Sequence, residues 1–212
     1  MVSIDYINEY IRNTIKKNTG ILLELEDFAK ENHVPIIHPE VAALLKVITL
    51  SHKPSNVLEI GTAIGYSSIL LSSFLEPGGK IDTIDRYELM LERAKENIKK
   101  ANVEHTINII QGDALEVIKC INKQYDMIFL DAAKGQYPEF LPECLRLLKN
   151  GGLLISDNVL YKGMIANDTL VVRRKRTIVN RLRIYLDEIC STDELETSII
   201  PIGDGVAISY KK

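Results

Sequence analysis

Four acids and one lysine are spaced so that they could act together. Asp85 ends the apolar run Ile81 to Ile84, and Asp113 follows Ile109-Ile110-Gln111-Gly112. Asp131 ends Met127-Ile128-Phe129-Leu130, and Asp157 with Asn158 ends Leu153-Leu154-Ile155-Ser156. Short apolar runs bounded by turn residues read as buried strands, and open α/β sheets bind ligands at the carboxyl ends of their strands. If the runs ending at Asp131 and Asp157 are neighbours, they lie about 4.8 Å apart, and Asp131, Asp157 and Asn158 could converge on one cation. Three hard oxygen ligands suit Mg²⁺, which keeps water or substrate oxygens in its remaining octahedral positions. The other reading is that these residues only cap the helices that follow. Lys134 lies one helical turn past Asp131, so a helical continuation would place both on one face. A lysine beside a metal and another cation could lose its proton readily and serve as a general base; otherwise it is a solvated surface lysine.

A second constellation precedes these acids. In Val57-Leu58-Glu59-Ile60-Gly61-Thr62-Ala63-Ile64-Gly65-Tyr66-Ser67, a short apolar run leads into a turn flanked by two glycines, and a helical pattern continues to Leu75. Strand, glycine turn and helix bring a ligand against bare backbone at a helix N-terminus. Gly61 and Gly65 permit a sharp bend and a close approach; an ordinary tight turn is the alternative. Glu59 is an acid within an apolar strand and needs a partner near the strand end. Asp85 lies 24 positions after Gly61, the place from which an acid can accept hydrogen bonds from a ribose. The turn is not G-x-G-x-x-G, so an adenosine-bearing ligand without a pyrophosphate fits it better.

The elements that must hold these residues alternate. Strands are expected at 56–60, 80–85, 106–111, 125–131 and 151–156, with a helix at 87–101 among those between them, which implies parallel βαβ units with right-handed crossovers. A basic helical stretch over 171–191 then leads to a strand at 196–200, a turn at Gly203-Asp204-Gly205 and a last strand, Val206 to Tyr210, as an antiparallel hairpin. Before residue 56 the chain reads as helical. Ile4, Ile7, Ile11 and Ile15 keep one stripe, Leu22, Leu25 and Phe28 another, and Pro39 opens a third helix. No linker separates them from the glycine turn, so residues 1–52 are expected to pack as an appendage on a single α/β domain spanning 1–212.

Composition bounds the rest. The 212 residues are 46% hydrophobic, enough for the core of one large domain. The net charge of −3 is unevenly spread, because Lys162 to Arg183 holds seven Lys/Arg against one acid, Asp168. Cys120, Cys144 and Cys190 have no metal-ligand spacing and read as reduced thiols of a cytoplasmic protein. No signal-peptide pattern and no apolar run of membrane-spanning length occur, so no membrane partner is expected. His33, His38, His52 and His105 form no ligand pair, and none is assigned a role.

The pieces LEIGTAIGYS (58–67), TID (83–85), GDAL (112–115), FLDAAKGQY (129–137) and SDNVL (156–160) together resemble the cation-dependent O-methyltransferases that use S-adenosylmethionine, a family including the catechol and caffeoyl-CoA enzymes. Within it, NHVPII (32–37), DNVLYKG (157–163) and SIIPIGDGVAIS (198–209) most resemble the bacterial tRNA 5-hydroxyuridine methyltransferases. The resemblance implies a Rossmann-like class I fold, a seven-stranded, mostly parallel sheet with a reversed last strand, usually in a homodimer. It assigns Asp131, Asp157 and Asn158 to Mg²⁺ or another divalent cation. It assigns Ile37, Ser67, Asp85, Asp113, Ala114 and Asp131 to S-adenosylmethionine, beside Glu59, Gly61 and Gly65 of the turn. Asp85 is a departure, since the family commonly has Glu there. The implied reaction is O-methylation of 5-hydroxyuridine at the tRNA wobble position, with Lys134 and Asp131 at the reacting group. The alternative is a small-molecule catechol-type enzyme. Arg173, Arg174, Lys175 and Arg176, followed by Arg181 and Arg183, favour an RNA backbone as partner.

Overall fold

The computed structural model describes residues 5–212; Ile4, first of the expected stripe, lies outside them. Three helices come first, α1 (Asp5–Thr14), α2 (Ile21–Glu31) and α3 (Pro39–His52). Then β1 (Asn56–Ile60), α4 (Tyr66–Ser72), β2 (Lys80–Asp85), α5 (Glu88–Lys100), β3 (Ile107–Gln111), α6 (Ala114–Cys120), β4 (Tyr125–Leu130), α7 (Tyr137–Leu147) and β5 (Leu148–Asp157) alternate. The chain ends with α8 (Arg176–Ser191), β6 (Leu195–Ile200) and β7 (Val206–Lys211). The seven strands run in the order β3-β2-β1-β4-β5-β7-β6, and β7 is antiparallel to both β5 and β6. This is the sheet with a reversed last strand expected from the sequence.

Period-two alternation divides the strands between two apolar layers. Met127 and Phe129 face a layer with Leu25, Val41, Leu45 and Ile69, whereas Ile128 and Leu130 face one with Phe140, Leu182 and Tyr185. Both faces are covered, which is why the central strands are apolar almost throughout. α2 and α3 join the first layer directly, Leu45 packing in the same cluster as Val57 and Phe129.

Two boundaries and one buried face differ from expectation. β5 starts at Leu148 because a bulge inserts residues: Tyr125 pairs with Leu148, but Met127 pairs with Leu153, and Gly151 takes φ +81° within the bulge. The basic stretch is no single helix; Arg173–Lys175 form a 3₁₀ turn and α8 starts at Arg176, since Val172 before them is extended. The stripe of α1 is not a core face, for Ile7 is 42% exposed. α1 is instead pinned by Arg12, whose Nε and Nη2 each reach the buried Glu40 carboxylate at 2.7 Å.

Candidate active site

The parallel register lines up the residues of the site. Ile60 pairs with Leu130, and Leu130 with Ser156, so Gly61, Asp131 and Asp157 stand abreast one residue past that register, at the carboxyl ends of three adjacent strands. On the other side Ile84 pairs with Ile60, which puts Asp85 in the same row. Gly61 is required here: its φ is +116°, and a Cβ would lie 2.9 Å from Ala132 Cβ and 3.1 Å from the Asp131 carbonyl. Gly65 differs from expectation. It caps α4 in a left-handed conformation at φ +83°, and a Cβ there would stand in ordinary contact with Ala94 and Ile98 of α5, so its backbone conformation and not a close approach favours glycine.

A cavity of about 650 Å³ opens over this row, with Asp85, Asp131, Lys134, Asp157 and Asn158 in its wall. Val34, Pro35 and Ile36 close one side. A pocket of about 130 Å³ holding Asp113 and Ala114 shares Asp85, Tyr87 and Ala132 with the cavity. A third, narrow pocket reaches Ile37 and Ser67 and shares Gly61, Ala63 and Asp131. One cleft therefore collects the strand-end acids, Ile37, Ser67, Gly61 and Ala114. Asp85 accepts from Ala63 N at 3.0 Å through Oδ2, and from Arg86 N at 2.7 Å and Tyr87 N at 3.1 Å through Oδ1. Asp113 caps α6 by accepting from Leu115 N, so the capping role and a place in the pocket coexist.

Glu59 lies beneath the turn rather than in the cavity wall. It is fully buried, and its Oε2 accepts from Ser68 Oγ and from Thr83 Oγ1, while Oε1 has no hydrogen-bond partner among the described residues. Burial pushes its carboxyl up to about 7, against the hydrogen bonds from Ser68 and Thr83.

Asp131 and Asp157 are short of compensating charge. Asp157 is 2% exposed, and burial together with the neighbouring Asp131 pushes it up to about 7. Burial also raises Asp131, against the pull of Lys134, whose Nζ donates to Asp131 Oδ1 at 3.1 Å. Lys134 does not reach it along a continuing helix. Ala133 is left-handed at φ +50°, and Lys134–Gln136 form a 3₁₀ turn that brings the ammonium back over the strand end. Tyr137, which the sequence reading passed over, sets both strand ends: its buried hydroxyl shares one proton between Leu130 O at 2.9 Å and Asp157 O at 3.0 Å. Among the described residues no three His, Cys, Asp or Glu side chains gather as a metal cluster. The donor set at the strand ends is two repelling carboxylates and the Asn158 amide, which fits a hard dication that would neutralise them.

His38 is the second residue the sequence reading passed over. It lines the cavity together with Asp131 and Asp157, and its only sequence signal was a place beside the helix-opening Pro39. The basic segment divides. Arg181 bonds Gly135 O and Glu139, and Arg183 bonds Met164 O, Ile165 O and Asp168, so part of each guanidinium is already engaged within the fold. Lys175 lies over the Tyr161 ring at 5.8 Å. Arg173, Arg174 and Arg176 are exposed, with no ion-pair partner among the described residues. They precede the part of α8 where Ile178 and Arg181 pack on the turn carrying Lys134.

A seven-stranded sheet of this order, cleft at the carboxyl ends of its central strands, is the Rossmann-like methyltransferase fold. The chain belongs to the O-methyltransferase family, which it matches over residues 12–212. It is 37% identical to a candidate caffeoyl-CoA O-methyltransferase of Staphylococcus aureus, whose crystal structure superposes with a TM-score of 0.87 and 98% of each chain covered. A candidate caffeoyl-CoA O-methyltransferase of Arabidopsis thaliana is 31% identical over 211 residues, 96% of this chain and 85% of the relative. An O-methyltransferase of Bacillus cereus, solved in complex with S-adenosylhomocysteine, shares the fold with a TM-score of 0.86 at 24% identity, covering 98% of this chain and 97% of that one.

Proposed function

We propose that this protein is a divalent-cation- and S-adenosylmethionine-dependent O-methyltransferase, and that it methylates 5-hydroxyuridine at the tRNA wobble position. The observation that carries the chemistry is the row Gly61, Asp131, Asp157 at the floor of one cleft, with Asp85 beside it. S-adenosylmethionine supplies the methyl group as a sulfonium electrophile, and the Bacillus cereus relative, solved with the demethylated product, supports that donor. Gly61, Ile37 and Ser67 border the narrow pocket that suits the methionine end, with Glu59 beneath the turn. Asp85 offers its carboxylate to ribose hydroxyls, and Asp113 and Ala114 wall the pocket that suits the adenine.

Asp131, Asp157 and Asn158 would hold the cation. A dication there supplies positive charge that acidifies a neighbouring hydroxyl and orients a pair of adjacent oxygens. Lys134 Nζ lines the same cavity beside Asp131, in place to take the hydroxyl proton after releasing its own to solvent. Val34, Pro35 and Ile36 limit water on one side.

The RNA substrate is favoured by Arg173, Arg174 and Arg176, exposed and without an ion-pair partner among the described residues, beside the turn that carries Lys134. A small catechol-type substrate is the second reading, favoured by the relatives named for caffeoyl-CoA. Mass spectrometry of nucleosides from 5-hydroxyuridine-containing tRNA, and of catechol in a parallel reaction, each after incubation with the protein, S-adenosylmethionine and Mg²⁺, separates them. New 5-methoxyuridine is expected. Methylated catechol with unmodified tRNA would leave the small-molecule reading.

A further inference from the structure

His38 has a ring set up for work that neither helix nor core requires. It is the N-cap residue of α3, yet its side chain makes no capping hydrogen bond; its carbonyl accepts from Ala42 N at 2.9 Å instead. The ring is within electrostatic reach of Asp131 and Asp204, and a Cβ on Gly203 would come 3.4 Å from its Cδ2. Nδ1 lies 3.4 Å from Arg12 Nη2. A guanidinium has donors only, so a hydrogen bond at this contact needs the lone pair on Nδ1 and the ring proton on Nε2. Arg12 is itself fixed, since the buried Glu40 carboxylate holds its Nε and Nη2, each at 2.7 Å. No hydrogen bond is made to Nε2 among the described residues.

We propose that His38 is a specificity-determining residue: the Glu40–Arg12 pair fixes its proton on Nε2, and that N–H donates to an acceptor on the substrate beyond the reacting pair of oxygens. The inference rests on the function proposed above and deepens it. A catechol ring has only its two adjacent oxygens, whereas 5-hydroxyuridine has a second ring carbonyl. His38 is exposed in the open cleft; a bound substrate would cover its ring, and a covered donor left unpaired disfavours the ligand that lacks its acceptor.

Two measurements test this. In long-range ¹H–¹⁵N spectra of the full-length protein at pH 8, His38 should show the Nε2–H tautomer. Arg12→Lys keeps an ion pair with Glu40 but removes the fork, and should move the ring toward a mixture. An Nδ1–H tautomer in the wild type would overturn the proposal. In kinetics, His38→Ala should lower the selectivity for a 5-hydroxyuridine anticodon stem-loop over catechol at least tenfold, chiefly through KM. Inhibition constants replace KM for a compound that is not turned over. His38→Gln, whose amide can donate, should recover part of the loss and covers the case in which the alanine variant does not fold. Unchanged selectivity would overturn the assignment. Wild-type protein that methylates neither compound would fail the functional reading, and the spectra alone would then decide the state of His38.

Discussion

Asp131 and Asp157 stand side by side, each one residue past the Leu130–Ser156 register pair of two adjacent parallel strands. Two carboxylates placed so, with burial raising both, oppose each other until a cation joins them. Activity should therefore vanish in excess EDTA and return with Mg²⁺. Asp157→Asn should abolish turnover and, by removing the repulsion, raise metal-free stability at pH 8 by about 1 kcal/mol. Urea unfolding of the metal-free variant checks this. A marked loss of stability would make Asp157 structural, and full activity of verified metal-free protein would end the cation reading.

Asp85 uses its carboxylate to bind three backbone N–H groups at the cleft wall, and its remaining lone pairs are those proposed for the ribose. Asp85→Ala should weaken S-adenosylmethionine by roughly 1.5–3 kcal/mol, the range for hydrogen bonds to a charged group. Calorimetry reads this directly. Unchanged affinity would move the ribose contact elsewhere.

Glu59 makes stability depend on pH. Burial raises its folded carboxyl to about 7, above the ordinary value of 4.5, so the folded state prefers the neutral acid. Its contribution is full below about pH 4.5, declines as pH rises through 7, and stays low above that. Glu59→Gln stays neutral throughout and keeps an oxygen for Ser68 and Thr83. Without cofactor, it should be more stable than the wild type at pH 8 by on the order of 2–3 kcal/mol, and similar at pH 4.5. Parallel denaturant curves at the two pH values would contradict a buried acid of this kind.

The strand-end acids were legible in the sequence because each apolar run closes on an acid, as Leu130-Asp131 and Ile155-Ser156-Asp157 do. The glycine turn was legible in part, since spacing alone treats Gly61 and Gly65 alike. Only packing shows that one faces the Asp131 carbonyl and the other faces α5. His38 and Tyr137 were not legible: one works through Arg12, 26 residues away, and the other through Asp157, 20 residues away. Neither distance leaves a local pattern. Arg181 and Arg183 misled for the same reason, because a charge run does not show which members are tied to Glu139 and Asp168.

That division of the arginines sets the last test. Arg173, Arg174 and Arg176 have no ion-pair or hydrogen-bond partner for their side chains among the described residues, so replacing them with Gln removes charge from the surface without leaving a described acid or carbonyl unpaired. If they meet phosphates, the triple variant loses counterion release that is blind to base identity. Its KM for tRNA should rise at least tenfold near physiological salt, and the slope of log KM against log salt should fall by about two to three. Arg181→Gln should act otherwise, by loosening α8 from the turn carrying Lys134. It should lower kcat on tRNA and on any small substrate alike, with the salt slope unchanged. Steady-state rates at several salt concentrations separate these cases. A triple variant with an unchanged salt slope would make the row a solvated helix face and leave the small-molecule reading the stronger.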